Sequence, residues 1–251
     1  MTVLPAPRSV PELLYALLDR EPSRPLVTHV GPDGARTELS VRTFENNVAK
    51  AANLLRDDAD VQHGASVTLR LPLHWQTSVW LGATALVGAV AWIDGPVEDP
   101  AVEVAVLGPD ELGSDRAPLT LATALHPLGM PFREPLPAGV LDVATEVRAH
   151  PDFFARYDVI DPGTLWLRVG GTSLTQDQAL GDAWALADAH GVTAGSRVLV
   201  TMPMSGGSAA RAALALLALP LAADVAVVLL TDLEADPAAV AAREGCDVVL
   251  A

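Results

Sequence analysis

Short hydrophobic runs alternate along most of the chain with longer segments in which apolar residues recur at helical spacing. Residues 10–18 carry leucines on one helical face, with Ser9 before them and Pro22 after them, and this pattern predicts a first helix. Residues 25–30 and 35–39 are predicted as two strands that a Gly-Pro-Asp-Gly turn joins into a hairpin.

A repeated order of strands and helices follows this hairpin. Ser40 begins a second helix, and a buried helix at 75–87 then lies among predicted strands at 67–71, 90–93 and 102–107. A similar order returns later, with strands at 164–169, 197–202, 225–230 and 247–250 and helices at 175–189, 208–219 and 236–244. Short apolar runs between helices are typical of mainly parallel sheets flanked by helices, so we predict an α/β fold with two Rossmann-like lobes.

The segment between the two ordered parts is rich in proline and breaks this pattern. Eight prolines fall from 109 to 162, and the one helix predicted there covers 141–149. The predicted organisation is therefore a first α/β lobe at 1–108, a Pro-rich connecting region at 109–163 and a second α/β lobe at 164–251.

The two predicted lobes match each other at several positions. Gly64 precedes Pro72 by eight residues, and Gly195 precedes Pro203 by eight residues, which gives an interval of 131 residues. Each pair brackets a predicted strand that leads into a helix of small residues. We predict an internal duplication in which Pro72 and Pro203 end equivalent strands; the alternative is a chance similarity between two α/β units.

Composition and charge narrow the range of functions. Half of the residues are hydrophobic, and 16 Lys and Arg against 31 Asp and Glu give a net charge of −15. The hydrophobic content excludes a disordered chain, and the negative charge disfavours nucleic acids and anionic membrane surfaces as partners. Residues 71–93 carry no formal charge, but a buried helix followed by a buried strand explains them better than a membrane span. Because no targeting segment is visible, we expect a cytoplasmic location.

Few residues offer metal or redox chemistry. The single cysteine, Cys246, cannot form an internal disulfide or a cysteine-based zinc site, and the six histidines show no metal-ligand spacing. We therefore predict no metal site. Lys50 is the one lysine, and its position in the second predicted helix indicates a solvated helix face.

Two stretches of the chain carry motifs of a known family. Within residues 37–93 these motifs are Leu39-Ser40, Gly64-Ala65-Ser66-Val67, Leu71-Pro72-Leu73 and Gly88-Ala89-Val90, and within 164–251 they are Leu174-Thr175 and Val200-Thr201-Met202-Pro203. They resemble the amino-terminal part of the adenylate-forming enzymes, the superfamily of acyl-CoA synthetases, luciferases and nonribosomal adenylation domains. The length and composition also resemble a small family of short actinobacterial proteins related to these AMP-binding enzymes.

The departures from this family pattern bear most directly on function. The resemblance implies a phosphate-binding loop, rich in Ser, Thr and Gly and ending in Pro-Lys-Gly, before the helix that begins at Leu174-Thr175. Only four residues stand there between Val169 and Leu174, and none is a lysine. Ser205 replaces a family histidine. The sequence also ends before the family's later nucleotide-binding motifs and its carboxy-terminal domain with the catalytic lysine.

Two glycine-rich turns are the candidate ligand sites. Each follows a predicted strand and precedes a helix, so its backbone N–H groups could surround an anion; the alternative is that both are tight connecting turns. The candidate residues are Gly170, Gly171, Thr172 and Ser173 in the first turn and Ser205, Gly206 and Gly207 in the second. We assign no catalytic residue and no cofactor.

The sequence favours a non-catalytic relative of the adenylate-forming enzymes that acts by binding a partner or a small ligand. The alternatives are an enzyme, either minimal or completed by another subunit, that forms adenylates or binds acyl groups or nucleotides, and a purely structural subunit. We also expect a homodimer or a protein partner at the second lobe. Its predicted strand 247–250 leaves an open edge, and its helix 209–219 is apolar nearly all round apart from Arg211.

Overall fold

The computed structural model describes residues 8–113, 116–156, 159–232 and 234–251, which form two mainly parallel sheets packed with helices. The strands are β1 Pro25–Val30, β2 Arg36–Ser40, β3 Ser66–Arg70, β4 Val90–Ile93, β5 Val102–Leu107, β6 Leu119–Ala122, β7 Val140–Asp142, β8 Leu165–Val169, β9 Thr172–Thr175, β10 Arg197–Val200, β11 Ala226–Leu230 and β12 Val248–Leu250. The helices are α1 Val10–Arg20, α2 Val41–Asn53, α3 Trp75–Val87, α4 Val143–Glu146, α5 Gln176–Ala189, α6 Ala209–Ala213, α7 Leu219–Ala222 and α8 Pro237–Glu244. A turn of π-helix, Leu214–Ala218, joins α6 to α7.

The order of the smaller sheet recurs in five strands of the larger one, β5-β3-β4-β8-β9. One sheet has the order β12-β10-β11-β1-β2, and the other has β7-β6-β5-β3-β4-β8-β9. In each, a central strand, β10 or β3, lies between two parallel partners, and a hairpin extends the sheet beyond one of them. The similarity in strand order that the predicted duplication requires is therefore confirmed.

The residue pairing repeats as well. Val67 of β3 pairs with Ala91, and Val198 of β10, which is 131 positions later, pairs with Val227. Both hairpins carry a register shift at the same place, between Pro25 and Val27 in β1 and between Leu165 and Leu167 in β8. Each hairpin leads into a helix capped by a hydroxyl side chain, Ser40 or Thr175.

The hairpins are exchanged between the two units, which differs from the contiguous lobes expected from the sequence. The hairpin β1–β2 pairs with β11 of the second unit, and β8–β9 pairs with β4 of the first. The Pro-rich region is also more than a connector, because β6 and β7 extend the larger sheet. A sequence pattern predicts that a strand is half buried, but it does not identify the neighbour with which the strand pairs.

A shared helical layer lies between the sheets. Alternate residues of one strand face different layers: Val227 and Leu229 join the main core with the helices, whereas Val228 and Leu230 face α8. The helix α3 is buried on almost every side, and the indole Nε1 of Trp166 donates to the carbonyl oxygen of Leu81 within it at 3.1 Å. These contacts join the two units into one core.

Three expectations from the sequence need correction. The residues Thr172 and Ser173 lie in strand β9 rather than in a loop. The helix expected at 141–149 is a strand, β7, followed by the short α4 and a 3₁₀ turn. The apolar helix at 209–219 needs no external partner, because α3 and α5 of the same chain pack against it. Proline spacing and the local pattern of polar residues do not distinguish these structures from the ones that the sequence led us to expect.

The uncharged stretch at 71–93 divides, as expected, into α3 and β4. No helix in the described part of the chain has both the length and the apolar character needed to cross a membrane.

Candidate functional site

A groove of about 470 Å³ opens where the carboxyl ends of strands from both sheets meet. The segments after β3 and β10 both line it, and Pro72 and Pro203 are among the lining residues. Residues 70–73 and 201–204 of the lining are related by the same interval of 131 residues. The groove therefore lies between the two units, at the kind of strand edge where α/β proteins bind ligands.

The two sides of the groove differ in charge. The first unit contributes Arg70 and Asp94, and the segment after β5 adds Asp110 and Glu111. The guanidinium of Arg70 donates to the carbonyl oxygen of Gly95 at 3.0 Å and to Glu111 at 3.4 Å. The opposite side is uncharged.

The uncharged side of the groove is largely apolar. Its side chains are those of Thr201, Met202, Pro203, Met204, Ser205, Leu230 and Thr231. Methionine side chains adapt readily to irregular ligands because they are unbranched and polarizable.

Two buried histidines stand beside this groove. The rings of His29 in β1 and His74 before α3 have centroids 4.2 Å apart, and the side chains are 4% and 3% exposed. His29 Nε2 lies 2.8 Å from the hydroxyl of Thr231, a groove residue. His74 Nδ1 accepts a hydrogen bond from the backbone N–H of Gln76 and so caps α3.

Burial holds both rings neutral. The Thr231 hydroxyl also donates to the carbonyl oxygen of Val30 at 3.4 Å. Burial lowers the pKa of His29 to about 4. Burial, reinforced by the neighbouring His29, lowers the pKa of His74 to about 3. A backbone hydrogen bond with Leu125 opposes this shift at His74. Within the described chain, His29 Nδ1 has no hydrogen-bond partner. The fold brings these two histidines together, and their spacing in the sequence does not predict this cluster.

The structure places the two candidate turns differently. Gly170 and Gly171 form an exposed two-residue turn between β8 and β9, and neither lines the groove. Ser205 does line it, whereas Gly206 and Gly207 lie just beyond in an exposed 3₁₀ turn. The structure therefore does not bring the two turns together around one pocket.

Other candidate groups lie away from the groove or are too dispersed. Lys50 is on α2 and forms an ion pair with Asp152 at 2.7 Å. Among the described residues, no group of three or more His, Cys, Asp or Glu side chains is arranged to hold a metal ion.

Sequence reasoning missed Asp94, His29 and His74. Asp94 follows β4 directly with a φ of 53°, so its place after a buried strand was the available signal. The interval of 131 residues also places His74 opposite Ser205, so it could have singled out His74 among the six histidines. Nothing in the sequence pattern links His29 to His74.

The fold is similar to that of several solved enzymes. An acetoacetyl-CoA synthetase from Streptomyces lividans matches 96% of this chain and 42% of its own, with 18% identity and a TM-score of 0.74. An acyl-CoA synthetase from Brucella canis matches 94% of this chain and 46% of its own, with 15% identity and a TM-score of 0.76. The chain thus spans less than half of these enzymes, and at this identity the likeness shows the fold. It confirms the predicted α/β architecture.

Sequence comparison provides a nearer relative. No family model matches the chain. A protein of Mycobacterium tuberculosis (strain ATCC 25618 / H37Rv), named as a TIGR03089 family protein, is 35% identical over 203 residues, which cover 77% of this chain and 79% of the relative. On this match, the chain belongs to the TIGR03089 family.

Proposed function

We propose that this chain is a non-catalytic relative of the acyl-CoA synthetases that acts by binding a small ligand in the groove. The turn between β8 and β9 carries the proposal. The resemblance implies a phosphate loop there, but Gly170 and Gly171 alone connect the two strands. A two-residue turn offers few backbone donors, and it carries no lysine.

The free energy lost with the missing phosphate contacts should make any nucleotide binding weak. A charge-assisted hydrogen bond to phosphate contributes about 1.5–3 kcal/mol, and a micromolar ligand needs about 8 kcal/mol in total. Without the lysine and most of the loop, much of that affinity is lost. The carboxylates of Asp94, Asp110 and Glu111 would also repel a triphosphate in the groove.

The groove itself supports a binding role. Its volume of about 470 Å³ lies within the usual range of small-molecule pockets, about 300–1,000 Å³. It combines apolar walls with a few polar groups, and it sits between two units that share one core.

The alternative is a minimal enzyme, or one completed by a separate subunit, that forms adenylates or binds acyl groups. The shared fold with acyl-CoA synthetases favours this alternative. A structural subunit is the third candidate.

We also propose a protein partner, in the simplest case a second copy, at the outer edge of β12. Within the described chain β12 pairs with β10 alone, and Val249 on it is 41% exposed. An open edge strand presents unpaired backbone groups to another strand. We propose a cytoplasmic location, in keeping with the acyl-CoA synthetase-like fold.

The test is ATP–pyrophosphate exchange with a panel of carboxylic acids, run beside a thermal-shift screen with ATP, AMP, CoA and acyl-CoAs. We expect no exchange above a no-enzyme control. A ligand at 100 times its Kd would stabilise the fold by about 2.7 kcal/mol. Exchange that is lost on substitution of Gly170–Ser173 would establish the enzyme alternative instead. A Met204→Trp variant, which fills the groove, should abolish any ligand shift.

A further inference from the structure

The internal duplication gives the groove two equivalent sides, and these sides differ at one pair of equivalent residues, Asp94 and Leu230. Leu69 of β3 pairs with Ile93, and Val200 of β10 pairs with Leu229. The next residue is Asp94 on the first side and Leu230 on the second, and both line the groove. One unit thus places a carboxylate where the other places an aliphatic side chain.

The negative charge on the first side is not neutralised. Arg70 is the one cation of the lining, and its ion pair is with Glu111. Within the described chain, the carboxylates of Asp94 and Asp110 accept no hydrogen bond from a side chain and form no ion pair, and both residues are exposed to solvent. The whole chain carries a net charge of −15, so no distant excess of positive charge offsets them.

We propose that the groove binds a small organic amine with an apolar body, which deepens the proposed function and rests on it. The ammonium group lies beside Asp94 and Asp110. The apolar body lies against Met202, Met204 and Leu230. A cation gains from two uncompensated carboxylates, whereas a carboxylate or phosphate head group is repelled by them.

The shape of the groove supports an amphiphilic ligand rather than a bare ion. Its apolar lining includes side chains from both units, and no described set of acidic residues is arranged to hold a metal. A flexible methionine wall accommodates an apolar body of variable shape. The groove therefore selects its ligand by the charge of the head group rather than by the shape of the apolar body.

Three probes with the same apolar body and different head groups test the inference: phenylbutylamine, phenylbutanol and phenylbutyrate. Isotope-labelled methionine methyl groups report binding by NMR. Met202 and Met204 lie in the groove, whereas Met130 lies outside its lining and is 49% exposed, which makes it an internal control.

The matched variants are Asp94→Asn and Asp60→Asn. Both residues have positive φ values, 53° and 51°, which asparagine tolerates, and Asp60 is not a groove residue. We expect phenylbutylamine to shift the Met202 and Met204 signals and to bind more tightly than the other two probes. Asp94→Asn and Asp110→Asn should each weaken it about threefold to fivefold, the scale of a partly exposed charge pair, and Asp60→Asn should leave it unchanged.

Two results would overturn the inference and separate it from the proposed function. If phenylbutanol or phenylbutyrate shifts the groove methionines as strongly as the amine, and Asp94→Asn changes nothing, the groove binds ligands but does not select cations. If none of the three probes shifts Met202 or Met204 more than Met130, the groove is not a small-molecule site and both proposals fail.

Discussion

His29 and His74 face each other with ring centroids 4.2 Å apart, although one belongs to the five-stranded sheet and the other follows a strand of the seven-stranded sheet. The pair therefore joins the two sheets beside the groove. Both rings are neutral, because protonation would place a charge in a buried interface and, at His74, would remove the acceptor that caps α3.

Acid should destabilise the protein through this pair. The folded pKa values of about 4 for His29 and about 3 for His74 lie below the ordinary value of 6.5. The unfolded chain thus binds more protons, and stability falls as pH decreases from 6.5 toward 4, by at most about 1.4 kcal/mol per pH unit for each histidine. Denaturant unfolding across this pH range measures the slope.

The variant His74→Asn isolates one member of the pair. Asparagine keeps the cap on α3 but does not titrate, so the slope should decrease by about one proton. His190→Asn, at an exposed helix end, is the control and should keep the wild-type slope. Equal slopes for all three proteins would show that the pair does not control acid stability.

Glu45→Gln should stabilise the protein at alkaline pH. Glu45 on α2 is 5% exposed, and burial raises its pKa from 4.5 to about 7. The folded state therefore favours the protonated acid, and the cost of the buried carboxylate develops as pH rises from 4.5 through 7. We expect a gain of about 1–3 kcal/mol at pH 8 and little change near pH 4.5.

Chemical denaturation at both pH values measures the effect of Glu45→Gln. The exposed Glu98→Gln is the matched control and should be neutral at each pH. A loss of stability in Glu45→Gln at pH 8 would mean that the carboxylate has a stabilising partner in the folded state.

The two glycines of the β8–β9 turn should differ in the stability that is lost when alanine replaces them. Gly170 has a φ of 55°, whereas Gly171 is not in the left-handed region, and a Cβ at either position would meet no atom within 4 Å. Gly170→Ala should thus cost about 1 kcal/mol through backbone strain alone, and Gly171→Ala should be nearly neutral. Thermal unfolding tests this difference, and equal costs would contradict the hairpin geometry.

The edge of β12 can be tested by its exposed valine. If a second copy pairs there, sedimentation equilibrium should give a mass above 26.2 kDa at high concentration, and Val249→Lys should restore the monomer mass. Val159→Lys changes another exposed valine, outside any strand, and should have no effect. A constant monomer mass at every concentration would refute the homodimer.

Much of the local structure follows from the sequence alone. The strand β3 and the helix α3 lie within one residue of the predicted ranges, because buried strands and helices require continuous apolar runs of characteristic length. The interval between Gly64 and Gly195 also revealed the duplication. Both glycines have positive φ values, 83° and 85°, so the same backbone requirement preserves both positions.

The tertiary structure alone decided how these elements assemble and where the site lies. A hairpin has the same polarity pattern whichever sheet it joins, so the exchange of β1–β2 and β8–β9 is not encoded locally. That exchange brings His29 against His74 and Thr231. Asp94 gains its place in the groove in the same way, because the groove exists only where the carboxyl ends of strands that are distant in sequence come together beside one shared core.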